Sequence, residues 1–350
     1  MADSLIRGII SRGVGGLYAV RPVFDDRYDG ETELLARARG SFRIQNISPL
    51  VGDVVTLSPA GEMNEALEVP EDTGAPDSTG RKRRGKKGDV RVDWVISEIS
   101  GRKNSMIRPP LANLDYLFAV IPTASPEPDL LTVDKLTVIA EDCGIETVIV
   151  VNKADLDMDG ARKIADVYSL AGYRVFLVSA GSGYGMDELA GFLREITEKQ
   201  QEKGYVSGAF AGASGAGKST LMTYLFPELE LATGSVSRKT ERGRHTTRHV
   251  ELYRTETGNG SFWLADTPGF SLLDFTRFNF IPTDELPGSF REFADLIGQC
   301  RYRKCTHTKE EGCAILEKLS QGGIAGSRHA SYVKILEEQR SVPEWKRKQM

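Results

Sequence analysis

"GASGAGKST", residues 212–220, satisfies the pattern G-x-x-x-x-G-K-[ST] through Gly212, Gly217, Lys218 and Ser219. Glycines at that spacing let successive backbone N–H groups curl round phosphate oxygens, and a helix that starts at once adds its positive end. "STLMTYLF" supplies the helix, and "YVSGAFA" before the loop reads as a strand of small residues. Strand, glycine loop and helix in that order place the stretch in an α/β domain of P-loop type. Lys218 would reach the terminal phosphates and Ser219 would bind Mg2+, with Ala213, Ser214, Gly215, Ala216 and Thr220 completing the cradle.

Outward from this loop lie further pieces of a nucleotide site. "WLADTPGF" (263–270) is an apolar strand ending in Asp266, which can hold a Mg2+ water. Gly269 after it can offer its N–H to a γ-phosphate. Alone, D-T-P-G is an ordinary turn; about fifty residues after a P-loop it reads as a nucleotide switch. "VIVVNKADL" (148–156) is a strand whose end presents Asn152, Lys153 and Asp155. An aspartate there accepts from both the ring N–H and the exocyclic amine of guanine, a pairing that adenine cannot match, and such sites discriminate strongly. In "LVSAGSG" (177–183) the backbone around Ser179 and Ala180 could receive the guanine carbonyl. Together these motifs favour GTP over ATP; an ATP-using P-loop enzyme would require Asp155 to be irrelevant.

Texture along the chain gives the organisation. Residues 1 to 108 read as short strands with glycine-rich turns ("GLYAV", "ELLARARGSFRI", "GDVVTLSP", "VDWVISEI"), the pattern of a small barrel. Within it, about 60–88 turns polar and ends in "RKRRGKK" (81–87), read as a long mobile insertion. From 109 to 275, continuous apolar runs such as "LDYLFAVIPTA" alternate with helical stretches at 133–142, 160–171 and 187–203, as in a mostly parallel sheet. Residues 276–350 hold "CRYRKCTHTKEEGC" and the helical "HASYVKILEEQR". Three thiolates and one imidazole, from Cys300, Cys305, His307 and Cys313, make a closed tetrahedral zinc set with no open catalytic position. The metal would be structural, fixing a loop that carries Arg301, Arg303 and Lys304. Cys143, far from these, reads as a small core residue.

Composition sets limits on function. Forty-five basic against forty-nine acidic residues give a net charge of −4, so the chain is no polycation, yet its basic runs point to a specific anionic partner. Four cysteines, three of them within fourteen positions, fit a reducing compartment better than a disulfide framework. The first twenty residues lack a secretory pattern, and no apolar run approaches membrane-spanning length. A cytoplasmic GTPase without membrane contact is the expectation from these features, and it is taken to be a monomer.

The motif order is unusual: N-K-A-D and S-A precede the P-loop, and D-T-P-G ends the domain, whereas most GTPases begin with the P-loop. In this order, and in "RGSF", "VGDVV", "IRPPLANLDYLFAV", "VNKADL", "GASGAGKSTL", "GRHTTRHVEL", "LADTPGFS" and the cysteine cluster, the sequence resembles the RsgA family. These are circularly permuted GTPases that depend on the small ribosomal subunit. The resemblance implies an OB-fold barrel at the N-terminus that binds RNA, a permuted GTPase domain and a small zinc-binding helical domain. It implies the small ribosomal subunit and its rRNA as partner, and hydrolysis of GTP to GDP and phosphate during late subunit assembly. Arg37, Arg39, Phe42 and Arg43 are plausible RNA contacts on such a barrel.

"RGRHTTRHVEL" (242–252) lies where GTPases place a switch threonine on Mg2+ and γ-phosphate. Thr246 and Thr247 are both candidates. Ras-like enzymes position the attacking water with a glutamine directly after the D-x-x-G glycine, but here Phe270 stands there and can orient nothing. His245 is the nearest residue able to do so, and the resemblance implies such a histidine in catalysis. The other reading makes His245 an exposed loop residue or an RNA contact. A competing function is a GTP-gated RNA-binding scaffold whose hydrolysis is incidental.

Overall fold

The computed structural model describes residues 5–29, 31–45, 47–60, 92–106, 109–199, 205–229, 250–257, 260–266 and 281–341. The chain forms two compact units, one of Met1–Lys103 with His249–Leu252 and another of Asn104–Arg248 with Tyr253–Met350.

The first unit is a five-stranded barrel. Strands β1 (Ile6–Val14), β2 (Leu17–Arg21), β3 (Leu34–Ala38), β4 (Val54–Pro59) and β5 (Trp94–Ile99) lie in the order β1-β2-β3-β5-β4, and β4 pairs back onto β1 to close the sheet. Only the β3–β5 pairing is parallel. Closure removes the edges and leaves one face of each strand turned inward. Ile6, Ile9, Ile10, Val20, Ala36, Val55, Leu57 and Ile96 fill the interior with no exposed surface. A register shift between Ile10 and Arg12 breaks the alternation of β1, so that Ile9 and Ile10 are both buried; such an irregularity bends the strand as a tight barrel requires.

One stretch departs from the sequence reading. "ELLARARGSFRI" is a strand only to Ala38, and Gly40–Ile44 forms a short helix, α1. The Phe42 N–H donates to the Arg39 carbonyl, and the Phe42 ring is buried. That ring packs inward and presents no face for a base to stack on. Arg39 is exposed and Arg37 half-buried. The insertion after residue 60, with its basic run 81–87, lies outside the described residues.

The second unit contains a parallel sheet in the order β10-β9-β8-β11-β13. Its strands are β8 (Tyr116–Pro122), β9 (Glu146–Asn152), β10 (Arg174–Leu177), β11 (Val206–Gly212) and β13 (Gly260–Asp266), with β12 (Glu251–Thr257) beside β13. Two short strands, β6 (Ser105–Met106) and β7 (Leu111–Ala112), pair ahead of it. Side chains alternate across a strand, and both faces are covered. Phe118, Val120, Val148, Val150 and Phe210 meet helices α4 (Met186–Lys199) and α5 (Lys218–Leu225), whereas Ala119, Ile121, Ile149 and Val151 meet α3 (Met158–Leu170) and the start of α2 (Leu130–Asp142). This two-sided burial is why the strands read as continuous apolar runs. Asp129 and Asp157 cap α2 and α3 by accepting from the Thr132 and Gly160 N–H groups.

Residues 281–341 pack into this same unit. Two 3-10 segments (Leu286–Ser289 and Arg291–Leu296), helix α6 (Ala314–Ser320) and helix α7 (Gly326–Ser341) surround Phe290, Phe293, Ile315, Tyr332 and Ile335, and Val138 of α2 joins that cluster. Cys143 is half-buried at the C-cap of α2 rather than inside a core, its thiol facing the Ser105 carbonyl at 3.9 Å. Among the described residues no helix is long and apolar enough to cross a membrane.

Candidate nucleotide site and metal cluster

All three motifs on described residues meet at the carboxyl ends of β9, β10 and β11, where open α/β sheets bind ligands. The loop after β11 needs its glycines for space as well as for conformation. At Gly212 a Cβ would lie 2.3 Å from the Val120 carbonyl oxygen. Gly217, the N-cap of α5, has φ +90°, and a Cβ there would lie 2.3 Å from Asn152 Nδ2. Ser214 and Gly215 are exposed at the tip, and Ser219 and Thr220 are exposed in the first turn of α5. Lys218 folds across its own loop, Nζ donating to the carbonyls of Gly212 and Ala213 at 2.8 Å each. Burial lowers its pKa from the ordinary lysine value.

Asn152 joins the three motifs. It is 2% exposed; Nδ2 donates to the Ala216 carbonyl at 2.9 Å, and Oδ1 accepts from the Ala180 N–H at 3.2 Å. One amide thus ties the N-K-A-D turn to the P-loop and to the S-A loop. With both ends engaged by protein, Asn152 frames the site, whereas Asp155, at the end of the same turn, is exposed. Lys153 runs its stem beside the P-loop, Cε lying 3.9 Å from where a Cβ on Gly217 would be. Ser179 is buried, its hydroxyl accepting from the Ser182 N–H at 3.2 Å and its carbonyl from the Gly183 N–H at 2.8 Å, so the S-A loop is held by its own turn.

β13 runs parallel to β11 with Ala265 opposite Ala209, which brings the backbone of Asp266 to the P-loop end of the sheet. His245, Thr246, Thr247, Gly269 and Phe270 lie outside the described residues.

The four metal-ligand candidates come together. Their Sγ and imidazole nitrogen atoms all lie within 4.8 Å of one another. The sulfurs of Cys300 and Cys313 are 3.8 Å apart, and His307 Nδ1 is 3.5 Å from Cys300 and 3.4 Å from Cys313. A tetrahedral zinc with ordinary bond lengths requires about 3.8 Å between sulfurs and about 3.5 Å between sulfur and nitrogen. Burial raises the Cys305 thiol to about 12 and raises the Cys313 thiol too, so a bound cation is what would hold them as thiolates at neutral pH. The surrounding turn is pinned: His329 Nε2 donates to the His307 carbonyl at 2.7 Å, Tyr332 Oη to the Thr306 carbonyl at 2.8 Å, and the Thr306 and Thr308 N–H groups to Glu310. Arg301, Arg303 and Lys304 stand exposed on the same loop.

Two features of this geometry were not read from the sequence. The bridging role of Asn152 has no local signal, because its partners lie 28 and 64 residues away. Thr123, at the end of β8, donates from Oγ1 to the Lys153 carbonyl at 2.6 Å, and a lone polar residue after "LFAVIP" could have flagged it.

Comparison with known proteins agrees in extent and in fold. A family model described as RsgA GTPase matches residues 99–276, and one described as RsgA N-terminal domain matches residues 7–66. The chain is 34% identical over 341 residues to a protein of Ruminiclostridium cellulolyticum named small ribosomal subunit biogenesis GTPase RsgA, covering 97% of this chain and 96% of that one. A protein of the same name from Caldanaerobacter subterraneus is also 34% identical, covering 95% of each. Among solved structures, YjeQ from Thermotoga maritima superposes with a TM-score of 0.70 at 30% identity, covering 97% of this chain and all of that one. YloQ, described as a circularly permuted GTPase, gives 0.66 at 28% identity over 97% of both.

Proposed function

The chain belongs to the RsgA family of GTPases, and from that premise we propose that it hydrolyses GTP to GDP and phosphate in the late assembly of the small ribosomal subunit. The subunit and its rRNA are the partner that stimulates turnover, and the protein works in the cytoplasm as a monomer. The observation that carries this reading is the Asn152 amide, which holds the guanine-reading turn, the P-loop and the S-A loop in one site.

In this reading Asp155 pairs with the guanine edge and the Ala180 backbone region meets its carbonyl. The P-loop N–H groups cradle the phosphates, and Lys218 leaves its loop carbonyls for the β- and γ-phosphates. Mg2+ fits the donors available: the Ser219 hydroxyl is exposed at the start of α5, and Asp266 ends the adjacent strand, both hard oxygen ligands. Bound with GTP, Mg2+ would neutralise charge developing on the phosphates. Thr246 or Thr247 adds the switch ligand, Gly269 bonds the γ-phosphate, and His245 positions the attacking water in place of the glutamine that Phe270 displaces. Zinc at Cys300, Cys305, His307 and Cys313 is structural, since the set is closed and leaves no open position for chemistry.

The His245→Ala variant tests the catalytic assignment. It is expected to bind GTP as the parent does while losing subunit-stimulated turnover by a factor on the order of 10²–10⁴, the usual contribution of a positioned acid–base group. Normal stimulated turnover would remove His245 from catalysis. Full biological function without turnover would favour the scaffold reading.

A further inference from the structure

Lys153 holds a backbone conformation that suits glycine, with φ +63°. A non-glycine residue stays there only when its surroundings over-determine it. Thr123 does much of this. It is 6% exposed at the end of β8; its N–H donates to the Asn152 carbonyl at 3.0 Å, and its hydroxyl donates to the Lys153 carbonyl at 2.6 Å. One residue therefore engages the carbonyls of both Asn152 and Lys153. The Leu156 N–H reaches the Lys153 carbonyl from the other side at 3.0 Å, closing a turn whose third residue is Asp155. The Lys153 ammonium is bonded to the Ser125 carbonyl, two residues beyond Thr123. Pro126, next in the chain, lies 3.3 Å from where a Cβ on Gly215 would be, so the same segment backs the P-loop. Glycine at position 153 would adopt this backbone freely but would lose the stem that lies beside Gly217.

We propose that Thr123 is a positioning residue for guanine recognition: its hydroxyl locks the left-handed turn at Lys153 and thereby aims the carboxylate of Asp155. The proposal rests on the reading of Asp155 as the group that pairs with guanine.

The test is calorimetric binding of GDP and of inosine diphosphate, which lacks the exocyclic amine, to the full zinc-loaded chain. Thr123→Val keeps the shape and removes the hydroxyl. GDP affinity is expected to fall about tenfold, the value of one lost hydrogen bond. Inosine diphosphate should lose much less, so the preference between the two shrinks. Thr123→Ser restores the hydroxyl and is expected to return the parent's preference. In a Lys153→Gly background, where the turn needs no lock, T123V should cost less than half as much. Should T123V fail to fold, Thr123→Ala carries the same expectation. Parent-like GDP affinity in T123V, or an equal loss for both nucleotides, would overturn the role of Thr123. Asp155→Ala separates the two ideas: if it leaves the preference unchanged, the guanine reading itself falls. If it removes the preference while T123V does not, only the Thr123 lock falls.

Discussion

At the scale of single residues, the site depends on side chains that bind protein in order to bind ligand. Asn152 is fully used between Ala216 and Ala180, so Asn152→Ala leaves the P-loop and the S-A loop without their shared partner. Each lost bond is worth about 1 kcal/mol, and GDP affinity is expected to fall by at least tenfold in equilibrium binding; an unchanged affinity would mean the loops hold their shape alone. Lys218 gives a pH signature. Burial in the free protein lowers its pKa, and a neighbouring phosphate raises it. Between the two values binding takes up protons, so affinity falls as pH rises through that interval. Calorimetry at alkaline pH, below the ordinary lysine range, in buffers of different ionisation enthalpy should register this uptake, and identical enthalpies would contradict it. The P-loop, the N-K-A-D turn and the Cys/His cluster could be located in the sequence because each is a local run of residues, and the clustering of Cys300, Cys305, His307 and Cys313 follows from their nearness in the chain. Asn152 as a bridge and Thr123 as a lock could not, because their partners are distant in the chain.

At the scale of elements, strands β8, β9 and β11 and helices α2, α3 and α4 were readable from apolar runs and helical periodicity. α1 was not: "GSFRI" continues the apolar-polar texture of β3, and only the buried Phe42 ring and its local turn make it helical. Nor did the sequence reveal how the last sixty residues attach. Arg328 of α7 is fully buried and makes a fork to Glu292 at 2.7 and 3.1 Å, with further bonds to Asp134 of α2 at 2.7 Å and to Thr137 at 2.9 Å. Phe290 and Tyr173 flank the guanidinium, their ring centres 4.9 and 5.5 Å away. Arg328→Met would strand two buried carboxylates and should cost about 3–5 kcal/mol in denaturant unfolding, whereas replacing all three charges together should recover most of that loss. A loss below 1 kcal/mol in the single variant would show that the network contributes little. The metal cluster predicts a thiol count. Burial raises the Cys143 thiol to about 11, so the zinc-loaded chain should react slowly at a single thiol near pH 8, and a strong chelator should expose three more. Four fast thiols before chelation would argue against a closed site.

For the molecule as a whole, the order of motifs carries the most information. An N-K-A-D turn ahead of the P-loop, with short barrel strands before it in the chain and a cysteine cluster after, is an order of motifs that resembles the family on its own. The folded chain brings the described motifs to one end of one sheet. Overall charge is nearly balanced at −4, so any attraction to RNA has to come from local surfaces, such as the exposed Arg301, Arg303 and Lys304 on the loop of the Cys/His cluster. With Phe270 after the switch glycine, intrinsic turnover should be slow and should depend on a partner that brings His245 to the water. The most direct test is phosphate release from GTP and from ATP, each with and without purified small ribosomal subunits. Slow release from GTP alone, a sharp rise on adding subunits and none from ATP are the predicted results. GTP turnover indifferent to subunits, or equal use of ATP, would contradict the account.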